Sequence, residues 1–238
     1  MPKVLAVLLF SVMAVWADSS APDLATIIKG IDRAEESRRQ NLGSYSVLRT
    51  YSLTASPGKP PAEMEVRLNY HQGGTKTFQI LSMRNAEGLR KRVFEHIIDG
   101  EAEASKHASQ THINSYSYNF AYVGQDQWDG RPCYVLKLIP KRRDKLLIDG
   151  QVWVDAADFG VAKITGRPAA SLSFWIGKPY LTQEFRKEGR FWLASRNVTL
   201  TDVKLFGRTR LTVRYGPYEF AGATVSAQPA AEVTARVP

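Results

Sequence analysis

Apolar residues Leu24, Ile27, Ile28 and Ile31 recur at i, i+3, i+4 and i+7 shortly after Pro22, with charged residues among them. That period places four side chains on one face of a helix, predicted from Asp23 to about Gln40 and closed by Gly43. The pattern then changes. Tyr45 to Thr54, Met64 to His71 and Lys76 to Ser82 are predicted strands, broken by Pro57-Gly58 with Pro60-Pro61 and by Gly73-Gly74. A second helix is predicted from Ala86 to about Glu103, with Leu89, Val93, Phe94, Ile97 and Ile98 on one side and Arg90, Lys91 and Arg92 opposite. Its charge order opposes the helix dipole, basic first and acidic last, which costs about 0.3 kcal/mol or more per exposed charge. Gly100 is a point where it could stop early.

The remainder is a train of short strands, near 117–127, 132–140, 146–154, 160–168, 178–187, 190–203 and 206–216, with Trp128-Asp129-Gly130 and Asp149-Gly150 as the clearest turns. About ten strands against two helices make a mainly β (α+β) chain, in which an antiparallel sheet curves into an open or closed barrel with covering helices. The stretch Cys133 to Ile139 is apolar on both faces, with Tyr134, Leu136 and Leu138 on one side and Val135 and Ile139 on the other. A sheet with one wet face alternates more cleanly. Either helices cover one face and the core the other, or one face lines an apolar cavity.

The beginning of the chain alters the picture. Lys3 precedes an uncharged run from Val4 to Trp16, with Val15 and Ala17 at the −3 and −1 positions of a cleavage site, so residues 1–17 read as a signal peptide cleaved after Ala17. The expected organisation is one domain over residues 18–220 and a loose tail over 221–238, located in the periplasm. Lys3 leaves with the signal segment, taking the net charge from +9 to +8. For an exported protein, that charge suits lipid head groups, lipopolysaccharide or an acidic protein face, or simply solubility, and nucleic acid is not an expected partner. Cys133 is the single cysteine and Asp18 the first mature residue, so neither a disulfide nor a lipid anchor is expected.

Candidate chemistry is sparse. Gly177-Lys178 lacks the glycine and the Ser or Thr of a phosphate loop, and no serine sits in a Gly-x-Ser-x-Gly elbow. Cys133 falls within a predicted strand, where a thiol packs as a small apolar residue. His96, His107 and His112 lack the i, i+4 spacing of helical metal ligands and read as surface histidines in a mobile segment. Asp155 and Asp158 fit a tight turn. The expectation is therefore no catalytic residue, no metal and no cofactor. Phe174-Trp175 and Phe191-Trp192 pack in a core by default, and facing a cavity they would grip acyl chains at about 0.8 kcal/mol per buried methylene. The runs Lys141-Arg142-Arg143 with Lys145 and Arg90-Lys91-Arg92 are either solvated faces or contacts for phosphate head groups or an acidic docking surface.

The segments Trp128-Asp-Gly-Arg-Pro-Cys-Tyr-Val-Leu136, Gly150-Gln-Val-Trp-Val-Asp155, Val161-Ala-Lys-Ile-Thr-Gly-Arg-Pro168 and Phe191-Trp-Leu-Ala-Ser-Arg196 resemble the outer-membrane lipoprotein-sorting (LolA-like) family. The resemblance implies an unclosed β-barrel of about ten or eleven strands with a helical lid, and an apolar cavity that receives lipoprotein acyl chains or other lipid for transfer towards the outer membrane. It also implies an inner-membrane release complex and an outer-membrane acceptor as partners. No acyl-gripping motif transfers position by position. Tyr134, Trp153, Phe174 and Trp175 are candidate ligand-binding residues by aromatic size and placement. The alternative is an adaptor of the same fold, similar to the regulators of the sigma-E envelope-stress pathway, that binds a membrane regulatory protein. Such relatives usually carry a second domain, for which few residues follow Phe220.

Overall fold

A computed structural model describes residues 23–55, 60–106, 112–171, 177, 179–203 and 207–221. It contains helices α1 (Leu24–Asn41) and α2 (Leu89–Lys106). The strands are β1 (Tyr45–Thr54), β2 (Ala62–Tyr70), β3 (Lys76–Arg84), β4 (Tyr118–Trp128), β5 (Arg131–Pro140), β6 (Ile148–Asp155), β7 (Val161–Pro168), β8 (Tyr180–Glu188), β9 (Phe191–Val203) and β10 (Gly207–Phe220). The predicted signal segment and most of the predicted tail lie outside the described residues. No described helix is long and apolar enough to cross a membrane.

All ten strands join one antiparallel sheet in the order β3-β2-β1-β10-β9-β8-β7-β6-β5-β4. Two meanders are stitched together where β10 returns beside β1, with Tyr51 opposite Val213. β3 and β4 stand at the two ends without pairing, so the curved sheet is an unclosed barrel. Register shifts at Val47/Arg49, Glu65/Val66, Tyr122/Gly124, Trp153/Val154 and Glu184/Phe185 interrupt the ladders, and such bulges bend and twist a strand.

The helices divide the inner face. Ile27 and Ile31, one turn apart on α1, pack with Tyr118, Leu136, Leu138, Val152, Val154 and Ile164 over the β4–β7 half. Phe94 of α2 packs with Tyr51, Leu53, Met64 and Val66 over the β1–β2 half. Each fully buried side chain of this kind contributes about 1.5–3 kcal/mol. The two-sided run in β5 is resolved by these neighbours. Tyr134, Leu136 and Leu138 face the α1 cluster, while Cys133 and Val135 join Trp153, Ala162 and Trp192, flanked by Trp128 and Phe185.

Three local expectations differ from the structure. Asp149-Gly150 is no turn: it lies inside β6, opposite Arg167 and Gly166 of β7. A Cβ at Gly150 would sit 2.0 Å from the Thr165 carbonyl oxygen, so this glycine serves a close backbone approach. α2 starts at Leu89, after Asn85 and Gly88 adopt positive φ, and continues through exposed Gly100 to Lys106. β10 runs on to Phe220, and Tyr218 and Phe220 pack edge-on against Tyr45 at 5.0 and 5.9 Å. The turn at Asp129-Gly130 is as expected, with φ of 51° and 71°, which suits a two-residue hairpin loop.

Candidate functional site

The site is built by laying α1 across the concave sheet. Asp23 caps the helix, its Oδ1 accepting the Thr26 N–H at 2.8 Å, and the Leu42 N–H donates to the Arg38 carbonyl at 2.9 Å to end it. Ile27 and Ile31 anchor the helix on β4 and β5. At Gly30 it meets Phe159: a Cβ there would lie 2.3 Å from the ring. Phe159 itself holds φ 58°, a costly conformation for a bulky residue, with its ring stacked on Tyr134 at 6.3 Å.

Between α1 and the sheet lies a cavity of about 780 Å³. Its apolar wall includes Ile31, Val47, Leu68, Phe159, Ile164 and Leu193. A smaller polar recess of about 330 Å³ borders the other flank of α1, between Asp32, Glu36 and Tyr116.

One end of the main cavity is charged. Arg49, at an inward position of β1, is only 2% exposed. Its Nη2 donates to Glu101 of α2 at 2.7–2.8 Å, and the Tyr51 hydroxyl donates to the same carboxylate at 3.0 Å. The guanidinium rests 4.9 Å from the centres of the Tyr51 and Tyr215 rings, close enough for cation–π attraction. Its Nε is buried without a hydrogen-bond partner. Lys76, at the start of β3, lines the same end, and burial pushes its ammonium below the usual lysine range. Burial also raises the Tyr45 hydroxyl to about 12.

A second polar group sits on α1. Arg38 donates to Glu35 at 2.7 Å, and His112 Nδ1 contacts the same carboxylate. Burial acts to raise the Glu35 carboxyl, but hydrogen bonds from His112 and Arg38 outweigh it and hold it at about 2. His112 is therefore not a surface histidine: its side chain is 17% exposed and braces α1. His96 is exposed, and His107 lies outside the described residues.

The remaining sequence candidates fall elsewhere. Trp153 is absent from the cavity lining. Alternation along β6 turns Val152 and Val154 inward and Trp153 to the opposite face, where its Nε1 donates to Asp126 at 2.9 Å. Lys163 there lies 4.2 and 4.6 Å from the Trp128 and Trp153 ring centres. Tyr134 backs Phe159 from behind and is likewise not a lining residue. Phe174 and Trp175 lie outside the described residues. Trp192 does line the cavity, its Nε1 donating to Asp158 at 3.1 Å.

Asp155 and Asp158 serve the turn. Asp155 is 1% exposed, takes two hydrogen bonds from Arg131 at 2.6 and 3.1 Å, and accepts the backbone N–H groups of Ala157 and Asp158. Cys133 is buried, its thiol pushed up to about 11 by burial and by the nearby Asp155 charge. Among the described residues no group of three or more His, Cys, Asp or Glu side chains could hold a metal ion. Of the basic runs, Lys141 donates to the Ser115 carbonyl at 2.6 Å and Arg142 pairs with Asp144 at 3.4 Å, while Lys91 pairs with Glu95 at 3.7 Å.

Arg49, Lys76 and Glu101 were not legible as a site. The signal was present: Arg49 shares the parity of Val47, Tyr51 and Leu53, and Glu101 falls seven residues after Phe94 on the apolar stripe of α2.

No family model matches the chain. No curated protein matches it either. Among solved structures the chain is similar to a LolA-superfamily protein from Nitrosomonas europaea, at 12% identity and a TM-score of 0.46, over 84% of this chain and 94% of that one. It is similar to a domain from Vibrio parahaemolyticus described as an outer membrane lipoprotein-sorting protein, at 16% identity and a TM-score of 0.44, over 84% and 95%. A DUF1329 family protein from Desulfovibrio piger is also similar, at 12% identity and a TM-score of 0.44, over 83% and 94%.

Proposed function

We propose that this chain is a periplasmic carrier that holds lipoprotein acyl chains, or another lipid, reversibly and without covalent chemistry, for transfer towards the outer membrane. The observation that carries the reading is the cavity under α1. Its volume of about 780 Å³ lies within the roughly 300–1,000 Å³ typical of small-ligand sites. Its apolar wall suits methylene groups, each contributing about 0.8 kcal/mol when taken from water. The LolA-like wording of the later strands and the signal-like residues 1–17 support the same reading, as they do an inner-membrane donor and an outer-membrane acceptor.

The test is mass spectrometry of organic extracts from protein purified out of its native periplasm without detergent. Stoichiometric lipid, or a co-purifying acylated protein, is expected. An empty protein that also takes up no acyl probe contradicts the reading.

A second reading, an adaptor for a membrane regulatory protein, is favoured by the sheet ends. β3 and β4 are open edges, and Ile80, Leu81, Tyr122 and Val123 on them are exposed. An open edge can accept an added strand. Recovery of an inner-membrane regulator without lipid, in a pull-down from envelope extract, would favour it.

A further inference from the structure

The cavity lining carries more cation than its own carboxylates neutralise. Arg33, Arg38, Arg49, Lys76 and Arg190 line the cavity, against Glu35, Glu101 and Asp158. The three carboxylates are already engaged. Glu35 is held by Arg38, Glu101 by Arg49 and Tyr51, and Asp158 by Lys187, which is not a lining residue. The Lys76 ammonium makes no hydrogen bond or ion pair among the described residues, although it senses the charge of Glu101. Arg49 Nε is buried with no partner.

Unpaired donors taken out of water are costly unless something accepts from them. The group that would answer both is acceptor-only and negatively charged. Val47 and Leu68, which lie between Lys76 and Arg49 in the strand register, make the wall apolar together with Ile31, Ile164 and Leu193, so the same cavity offers a place for a chain attached to that group.

We propose that the end of the cavity bounded by β1, β3 and α2 is a subsite for the phosphate or carboxylate of an anionic amphiphile, received by Lys76 and Arg49. This rests on the carrier reading and adds the head group to it. Glu101 then has two roles: it holds the Arg49 guanidinium in place when the subsite is empty, and by engaging Arg49 it leaves the Lys76 ammonium without an ion-pair partner among the described residues. The subsite selects for charge, while the apolar wall selects for chain.

The experiment is calorimetric titration of the mature protein, at low ionic strength, with three probes: dioctanoyl phosphatidylglycerol, dioctanoylglycerol and inorganic phosphate. Wild type is compared with Lys76→Met and Lys76→Arg, each checked for an unchanged urea midpoint. Wild type is expected to bind the phosphatidylglycerol about tenfold more tightly than the diacylglycerol, the scale of one charge-assisted contact. Lys76→Met should erase that gap by weakening phosphatidylglycerol binding, and Lys76→Arg should restore it. Equal affinities in wild type, or a gap that survives Lys76→Met, overturn the subsite while leaving the carrier reading intact. Phosphate binding that depends on Lys76, with neither lipid bound, identifies a free-anion site and overturns both the amphiphile assignment and the carrier reading. No binding of any probe also overturns both.

Discussion

Glu101 and Arg49 should respond to removal very unequally, and the asymmetry follows from their burial. The Arg49 side chain is 2% exposed, while that of Glu101 is 33% exposed. Deleting one partner of a buried pair typically costs about 3–5 kcal/mol, because the survivor is left as an uncompensated charge. In Glu101→Leu the survivor is Arg49, whose Nε already lacks a partner and whose β1 backbone cannot carry it to water. The Tyr51 hydroxyl loses its acceptor as well. A cost of about 3 kcal/mol is expected, the low end of that range, since water can reach the Glu101 side. In Arg49→Met the survivor is Glu101, which can turn outward from α2. That variant should lose about 1–2 kcal/mol, chiefly the hydrogen bonds to a charged group and the ring contacts. The double variant should be more stable than Glu101→Leu alone. Urea unfolding followed by far-ultraviolet circular dichroism gives all three values. If Arg49→Met costs more than Glu101→Leu, or the double variant is the sum of the two, the pair is not a buried cation rescued by its carboxylate.

The Glu35 carboxyl is held near 2, below its unfolded value of about 4.3, so the unfolded chain takes the proton first; stability present above about pH 4.3 should fall by about 3 kcal/mol as the pH drops towards 2, and Glu35→Gln should flatten that slope in acid unfolding curves. Cys133, buried and with its thiol raised to about 11, should resist thiol reagents at pH 8 in the folded protein and react promptly in urea; fast labelling of the native state would refute the packing. Gly30→Val must displace either α1 or the Phe159 ring, since a Cβ there falls 2.3 Å from that ring. It should destabilise the fold by about 1–3 kcal/mol and weaken acyl-probe binding, and an unchanged melting curve would contradict the close packing.

The strands were readable because short alternating runs were separated by strong turn residues, and β1 occupies Tyr45–Thr54 as the pattern predicts. The helix α1 was equally legible from its isoleucine spacing. What failed was local context. Asp149-Gly150 has turn composition, but its glycine is needed because Gly166 approaches from β7, a tertiary fact invisible to a local window. Gly100 costs about 1 kcal/mol relative to alanine in a helix interior, too little to end α2 against the anchoring of Phe94 in the core. Aromatic size alone does not assign a face, because side-chain parity decides it: Trp153 follows Val152 and points away, while Phe191 and Trp192 line the cavity. Charged residues at inward positions were the better indicator, and Arg49 and Glu101 both satisfy it.

The most direct test of the cavity as the acyl site is methyl NMR of the protein with a phospholipid bearing a nitroxide near the end of one chain. The account predicts that the methyl signals of Ile31, Val47, Leu68, Ile164 and Leu193, which line the cavity, broaden at one equivalent of lipid. Broadening confined to Ile80, Leu81 and Val123 on the exposed sheet edges, with the cavity methyls unaffected, would contradict it.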